Sequence, residues 1–273
     1  MTRAMKVTGR TALITGASSG IGATFARELA ARGAHLILVA RRQEPLEALA
    51  GRLRIANQGY VDVFPADLTR PDAVTRLGAQ VGALGRSVDI LINSAGFGAY
   101  GDVVDADPER LHDQVQLNIT ALLDLTRMYL PVMTARGQGT VINIASAAAF
   151  QPMPHMAVYA ATKAFVLSFT EALWTETRSS GVRVLALCPG PTATPFHAAT
   201  GSEDGSFGKH RTAEQVVATA LRALDREIPS VVDGRLNTLL SRLPGLLPRR
   251  LTLAIAERTM RPANPLPSTA PVR

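Results

Sequence analysis

The chain has one cysteine, Cys188, so it can form no internal disulfide and no multi-thiolate metal site. That usage fits a reducing, cytoplasmic compartment. Cys188 ends the run VRVLALCP, where a small buried hydrophobe is the simplest reading. Aromatics are scarce at 5% and charges modest at 19%, against 47% hydrophobic residues, a balance that excludes a disordered chain and favours an aliphatic core. No apolar run approaches the roughly 18 residues that a membrane span requires. The basic start (Arg3, Lys6, Arg10) leads into the glycine-rich TALITGASSG rather than the apolar core of a signal peptide. The five histidines (His35, His112, His155, His197, His210) sit at no recognised ligand spacing, so no metal is expected. Acidic residues are outnumbered 22 to 29 by Lys and Arg, giving a net charge of +7. The excess reads as diffuse, without interleaved aromatics, which favours an anionic, phosphorylated small molecule over nucleic acid.

What is present is a rhythm. Aliphatic, β-branched runs recur at 11–16 (TALITG), 35–40 (HLILVA), 60–66 (YVDVFPA), 88–96 (VDILINSAG), 139–146 (GTVINIAS) and 182–189 (VRVLALCP), each reading as a strand buried on both faces. Helical patterns such as IGATFARELAARG and FVLSFTEALWTETRSSG lie between them, several ending at a glycine. Alternation of this kind implies right-handed crossovers and an α/β, Rossmann-like, doubly wound parallel sheet of about seven strands. One domain over 1–261 is expected, with ligands beyond the carboxyl ends of the strands.

The first strand runs into Thr15-Gly16-Ala17-Ser18-Ser19-Gly20-Ile21-Gly22 and then a helix. Glycines there allow a tight turn and a close approach of backbone to a pyrophosphate, which would lie at the positive helix N-terminus. Ser18, Ser19 and Ile21 share that turn. At the end of the second strand, where NAD-specific sites carry an acidic residue, the chain has Arg41 and Arg42. A guanidinium can pair with a 2′-phosphate that a carboxylate would repel. NADP(H) is therefore the preferred cofactor and NAD(H) the alternative; a merely solvated Arg42 is the plainer reading of that residue.

Tyr159 and Lys163 are four residues apart in the helical stretch AVYAATKAF, so they project from one face. An ammonium near a phenol would lower its pKa from about 10 towards working pH, as general acid/base chemistry needs. The pair alone could be a surface contact; Ser146, at the end of the fifth strand, adds a hydroxyl that could hold a carbonyl oxygen.

In these motifs, over about residues 6–235, the chain resembles the short-chain dehydrogenase/reductase family. TGASSGIG is similar to its TGxxxGxG turn, and Asn93-Ser94-Ala95-Gly96 to its NNAG, with Ser94 in place of the second asparagine. Ser146 with Tyr159 and Lys163 is similar to its catalytic set. The resemblance implies Tyr159 as catalytic acid/base, Ser146 orienting the substrate, and Lys163 holding the nicotinamide ribose while lowering the tyrosine pKa. It implies that Asn118 maintains a water-linked proton relay, where a helix-interior polar contact is the alternative. It carries Asp67 and Leu68 to the adenine, Asn93, Ala95 and Gly96 to the adenosine ribose, and Pro189, Gly190, Thr192 and Thr194 to the nicotinamide carboxamide. As an N-cap, Asp67 would have a purely structural role. A homo-oligomer, dimer or tetramer, is also implied.

The implied activity is NADP(H)-linked interconversion of a carbonyl and an alcohol; a non-catalytic dinucleotide sensor is the alternative. Residues 190–211 form a long polar segment expected to be a mobile loop over the site. Gln151, Met153 and Pro154 should shape the pocket, with Phe150, Phe196 and Phe207 as an apolar wall that favours a hydrophobic substrate. His155 reads as a loop residue without a catalytic role. Residues 234–261, leucine- and arginine-rich, are expected to pack as helices on the domain or on another subunit, with peripheral membrane contact as the weaker reading. The stretch 262–273, with four prolines, is expected to be a flexible tail.

Overall fold

The computed structural model describes residues 5–56, 59–196 and 210–260. Residue Phe207, most of the expected loop and the Pro-rich tail lie outside them.

Seven strands pair in parallel in the order β3-β2-β1-β4-β5-β6-β7. They are β1 (Thr11–Thr15), β2 (His35–Ala40), β3 (Val61–Pro65), β4 (Ile90–Asn93), β5 (Gly139–Ile144), β6 (Val182–Cys188) and β7 (Ser230–Val232). Six match the aliphatic runs. The seventh is three half-buried residues, too short to stand out in the sequence. β3 also departs from expectation: it forms one edge of the sheet, and only Val61 is buried. An edge strand has one neighbour to cover it, so its outer residues meet solvent.

Side-chain alternation sorts the core into two layers. Ala12, Ile14, Leu36 and Leu38 face α1 (Gly20–Ala31), α2 (Gln43–Ala56) and a later helix, α7 (Ala213–Asp225). Leu13, Ile37, Val39 and Leu91 face the opposite layer, which includes α3 (Ala73–Ala83), α5 (Leu122–Ala135) and the end of α6 (Ala157–Thr177). Each fully buried leucine or isoleucine contributes about 1.5–3 kcal/mol of transfer free energy, so both faces must be covered for the sheet to hold.

Strand order reverses between β1 and β4, and the crevice at that switch point opens over the carboxyl ends of the strands. Two glycines make the turn after β1 feasible. Gly16 has φ +65°, and a Cβ there would meet the Ser94–Ala95 backbone at 2.9 Å. Gly22 lets α1 approach the strand so closely that a Cβ would lie 2.5 Å from the Gly16 carbonyl oxygen. The helix α4 (Pro108–Val115) runs into a π-helical turn, Gln116–Ala121, before α5. The chain then closes with α8 (Arg235–Arg242) and α9 (Arg249–Met260).

Candidate active site

A cleft of about 1260 Å³ occupies the switch point. That is more than one drug-sized ligand needs and suits two ligands side by side. Its floor is the turn Gly16, Ser18, Ser19, Gly20 and Ile21. Ser19 is the N-cap of α1, yet its side chain caps nothing. The first amides of α1 are thus left for a ligand, an arrangement suited to a phosphate. Gly22 does not line the cleft; its place is the helix–strand contact described above.

Thr15, which the sequence reading passed over, binds the two sides of the crevice together. Its Oγ1 accepts from the amides of Ser94 and Ala95, each at 3.0 Å. Ala95 and Gly96 line the cleft. Asn93 does not: its side chain is 3% exposed and turned into the sheet, where Nδ2 donates to Asn143 Oδ1 at 2.9 Å and to Thr126 Oγ1 at 3.2 Å. The Asn93 side chain is thus a buried polar brace between β4, β5 and α5.

One end of the cleft is formed by Arg41, Arg42, Asp67 and Leu68. Both arginines are exposed, and among the described residues neither makes an ion pair. Asp67 Oδ1 accepts from the amide and hydroxyl of Thr69, at 3.2 and 2.8 Å, so it caps its own turn while lining the cleft. At the middle lie Pro189, Gly190, Thr192 and Thr194. Thr192 is buried and donates to the Gly190 carbonyl oxygen at 2.9 Å. Its backbone pairs with Arg211, so both ends of the long loop are fixed to one another although its centre lies outside the described residues.

Ser146, Tyr159 and Lys163 meet here. Tyr159 and Lys163 are 9% and 5% exposed, which disposes of the surface-pair reading. Ser146 is the N-cap of the short 3-10 turn Ala147–Phe150; its Oγ accepts from the Ala148 amide at 3.1 Å, and its side chain acts on the Tyr159 phenol. Burial pushes the Tyr159 phenol up to about 12, and the Ser146 side chain opposes that rise. Lys163 is not among the groups that shift the phenol in this structure. Its Nζ donates instead to the Ile144 carbonyl at 2.8 Å, and burial brings the lysine down to about 8.

Asn118 falls within the π-helical turn, a distortion common at functional sites and invisible to a 3.6-residue pattern. Its Oδ1 accepts from the Phe97 amide at 3.1 Å, and its Nδ2 donates to the Phe97 carbonyl and Thr162 Oγ1 at 3.0 and 3.1 Å. The side chain thus braces the Phe97 segment against α6 beside the site.

The other end of the cleft is apolar. Phe150, Met153 and Phe196 line it, with the Phe196 ring 5.5 Å from that of Tyr159. Gln151 lines it too; Pro154 does not. His155 turns away to Asp102, 2.7 Å from Nδ1. The C-terminal segment forms the outer wall: Leu240, Leu243, Leu247, Ile255 and Met260 face the cleft. Tyr100, likewise missed from sequence, donates its hydroxyl to the Met260 carbonyl. Contacts across 160 residues leave no local signal.

A switch-point cleft with a glycine-lined phosphate turn and a buried Ser-Tyr-Lys set is that of an oxidoreductase using a nicotinamide dinucleotide on CH–OH or C=O groups. The family model for the short chain dehydrogenases matches residues 10–205, and the chain belongs to that family. An oxidoreductase of Staphylococcus saprophyticus is 33% identical over 82% of this chain and 94% of its own. Among solved structures, a short-chain dehydrogenase from Sphingobium yanoikuyae in complex with NADPH superposes with a TM-score of 0.79, at 35% identity over 94% of this chain and 98% of that one. A bulky-bulky ketone specific alcohol dehydrogenase from Comamonas testosteroni gives 0.74, at 34% identity over 87% and 93%.

Proposed function

We propose that this protein is an NADP(H)-dependent reductase of bulky, apolar ketones or aldehydes, one domain over 1–261 that works as a homo-oligomer in the cytoplasm. The observation that carries the reading is that Tyr159, buried beside Lys163, lines the same cleft as Ser146 and the apolar Phe150, Met153 and Phe196. The ketone preference is supported further by the likeness to the bulky-ketone alcohol dehydrogenase.

The residues present fit the cofactor: the uncapped start of α1 suits its phosphates, and Arg41 and Arg42, which make no ion pair among the described residues, suit a 2′-phosphate. When bound, the nicotinamide supplies the hydride that reduces the carbonyl carbon. Ser146 donates to the carbonyl oxygen and orients it, and Tyr159 gives that oxygen its proton. A phenol with a pKa near 12 holds its proton at neutral pH, as an acid in the reductive direction must. Lys163, once its ammonium is near a bound ribose, holds the cofactor and stabilises the phenolate left behind. Thr192 and Thr194 position the carboxamide.

The test is NADPH oxidation against a panel of aromatic, steroidal and long-chain ketones beside small charged carbonyls. Turnover confined to the bulky apolar members is expected; equal turnover of the charged ones would overturn the substrate class. NADPH binding without oxidation by any member would restore the sensor reading.

A further inference from the structure

Nine of the sixteen large hydrophobic side chains exposed among the described residues fall between 236 and 255. Five of them, Leu236, Leu239, Leu246, Leu251 and Leu253, are 40–79% exposed and do not line the cleft. Four more, Leu240, Leu243, Leu247 and Ile255, are 38–51% exposed and line it as well, so exposed apolar side chains of this segment extend to the cleft itself. Isolated exposed leucines are ordinary; so many within one short segment mark a contact surface.

Charge decides what the surface contacts. Residues 235–260 hold five arginines, Arg235, Arg242, Arg249, Arg250 and Arg258, against one acid, Glu257. All five are exposed, and among the described residues none takes part in an ion pair. The basic excess that reads as diffuse along the whole sequence is thus concentrated here around exposed leucines. A second copy meeting this face about a two-fold axis would bring like charges together. An anionic lipid surface would satisfy both features, taking the leucines below the headgroups and pairing the arginines with phosphates. No helix among the described residues is long and apolar enough to cross a membrane, so such contact is peripheral.

We propose that α8 and α9 seat the protein on an anionic membrane surface, with the mouth of the cleft turned towards the lipid. Delivery of an apolar carbonyl from the bilayer to Tyr159 follows only if the reductase reading holds; the docking itself does not depend on it.

The experiment is co-sedimentation of the full chain with phosphatidylcholine vesicles that do or do not contain phosphatidylglycerol, at low and high salt. Binding is expected only with phosphatidylglycerol and should weaken as salt rises. Leu239→Ser with Leu246→Ser should abolish it while NADPH binding, followed by fluorescence, stays intact. Arg249→Gln and Arg250→Gln should each weaken it by roughly fivefold. Val104→Ser, at a position 88% exposed elsewhere on the molecule, should change nothing. Equal binding to both vesicle types, no binding, or leucine variants that bind as the wild type would each overturn the proposal. A leucine variant that instead lowers the oligomeric state in sedimentation velocity would assign the face to a second copy.

Discussion

The Lys163 ammonium donates at 2.8 Å to the carbonyl oxygen of Ile144, the last residue of β5, and not to the Tyr159 hydroxyl one helical turn behind it. A cation so deeply buried has a cost that shows in stability. In the folded chain Lys163 loses its proton near pH 8, whereas unfolded it keeps it to 10.5. Between those values the unfolded state binds more protons, so stability should rise with pH, by up to about 1.4 kcal/mol per unit. Tyr159 acts in the opposite sense: its folded pKa near 12 lies above the ordinary 10, so stability falls as pH rises from about 10 to 12. Denaturant midpoints from pH 7 to 11.5 should show the rise vanish in Lys163→Met and the fall shrink in Tyr159→Phe. A rise that persists in Lys163→Met would show that the lysine is not its source.

Tyr159→Phe keeps the ring packed against Phe196 and Met156 and removes only the hydroxyl. Turnover should fall by at least 100-fold while NADPH still binds, because only the proton donor is lost. Residual activity within tenfold of wild type would take Tyr159 out of the acid role.

How far the sequence reveals this site depends on the range of the interaction. The turn after β1, Arg41 and Arg42, and the Tyr159–Lys163 pair are local features, set by glycine geometry, strand ends and the helical period, and each is legible from residue spacing. The inward turn of Asn93 is decided by Asn143 and Thr126, 50 and 33 residues away. The π turn at Asn118 satisfies the same amphipathic pattern as an α-helix. The position of Met260 opposite Tyr100 is a tertiary outcome of α9 folding back over the cleft. The same holds for the raised Tyr159 and lowered Lys163 pKa values: the spacing gives proximity, but desolvation depends on what covers both groups.

Arg41→Ala should weaken NADPH binding by about 1–3 kcal/mol, the range for a lost charge-assisted hydrogen bond, and leave NADH nearly unchanged. Arg42→Ala, one residue further along the same lip, should have a smaller effect if it is chiefly solvated. Fluorescence titration with both cofactors measures the ratio. An unaltered NADPH-to-NADH preference in the double variant would assign the 2′-phosphate to other groups.

Asp233, fully buried just after β7, ties together three parts of the cofactor side of the cleft. Its Oδ2 accepts from Arg211 Nε at 2.5 Å, its Oδ1 accepts from Thr219 Oγ1 at 2.7 Å, and its carbonyl accepts from Asn237 Nδ2 at 2.8 Å. Arg211 in turn exchanges backbone hydrogen bonds with Pro191 and Ala193, on either side of Thr192. The carboxylate therefore holds the segment around Thr192 through Arg211 and fixes α7 through Thr219, whereas the start of α8 hangs on the Asp233 backbone carbonyl. Asp233→Ala leaves Arg211 half-buried without its anion and should cost about 3 kcal/mol or more in denaturant stability. Asp233→Asn, which keeps the Thr219 contact, should cost less. If the role is one of positioning, Asp233→Asn should also raise the NADPH dissociation constant severalfold at a temperature where the variant is fully folded. A stability loss with unchanged NADPH affinity would confine Asp233 to the fold.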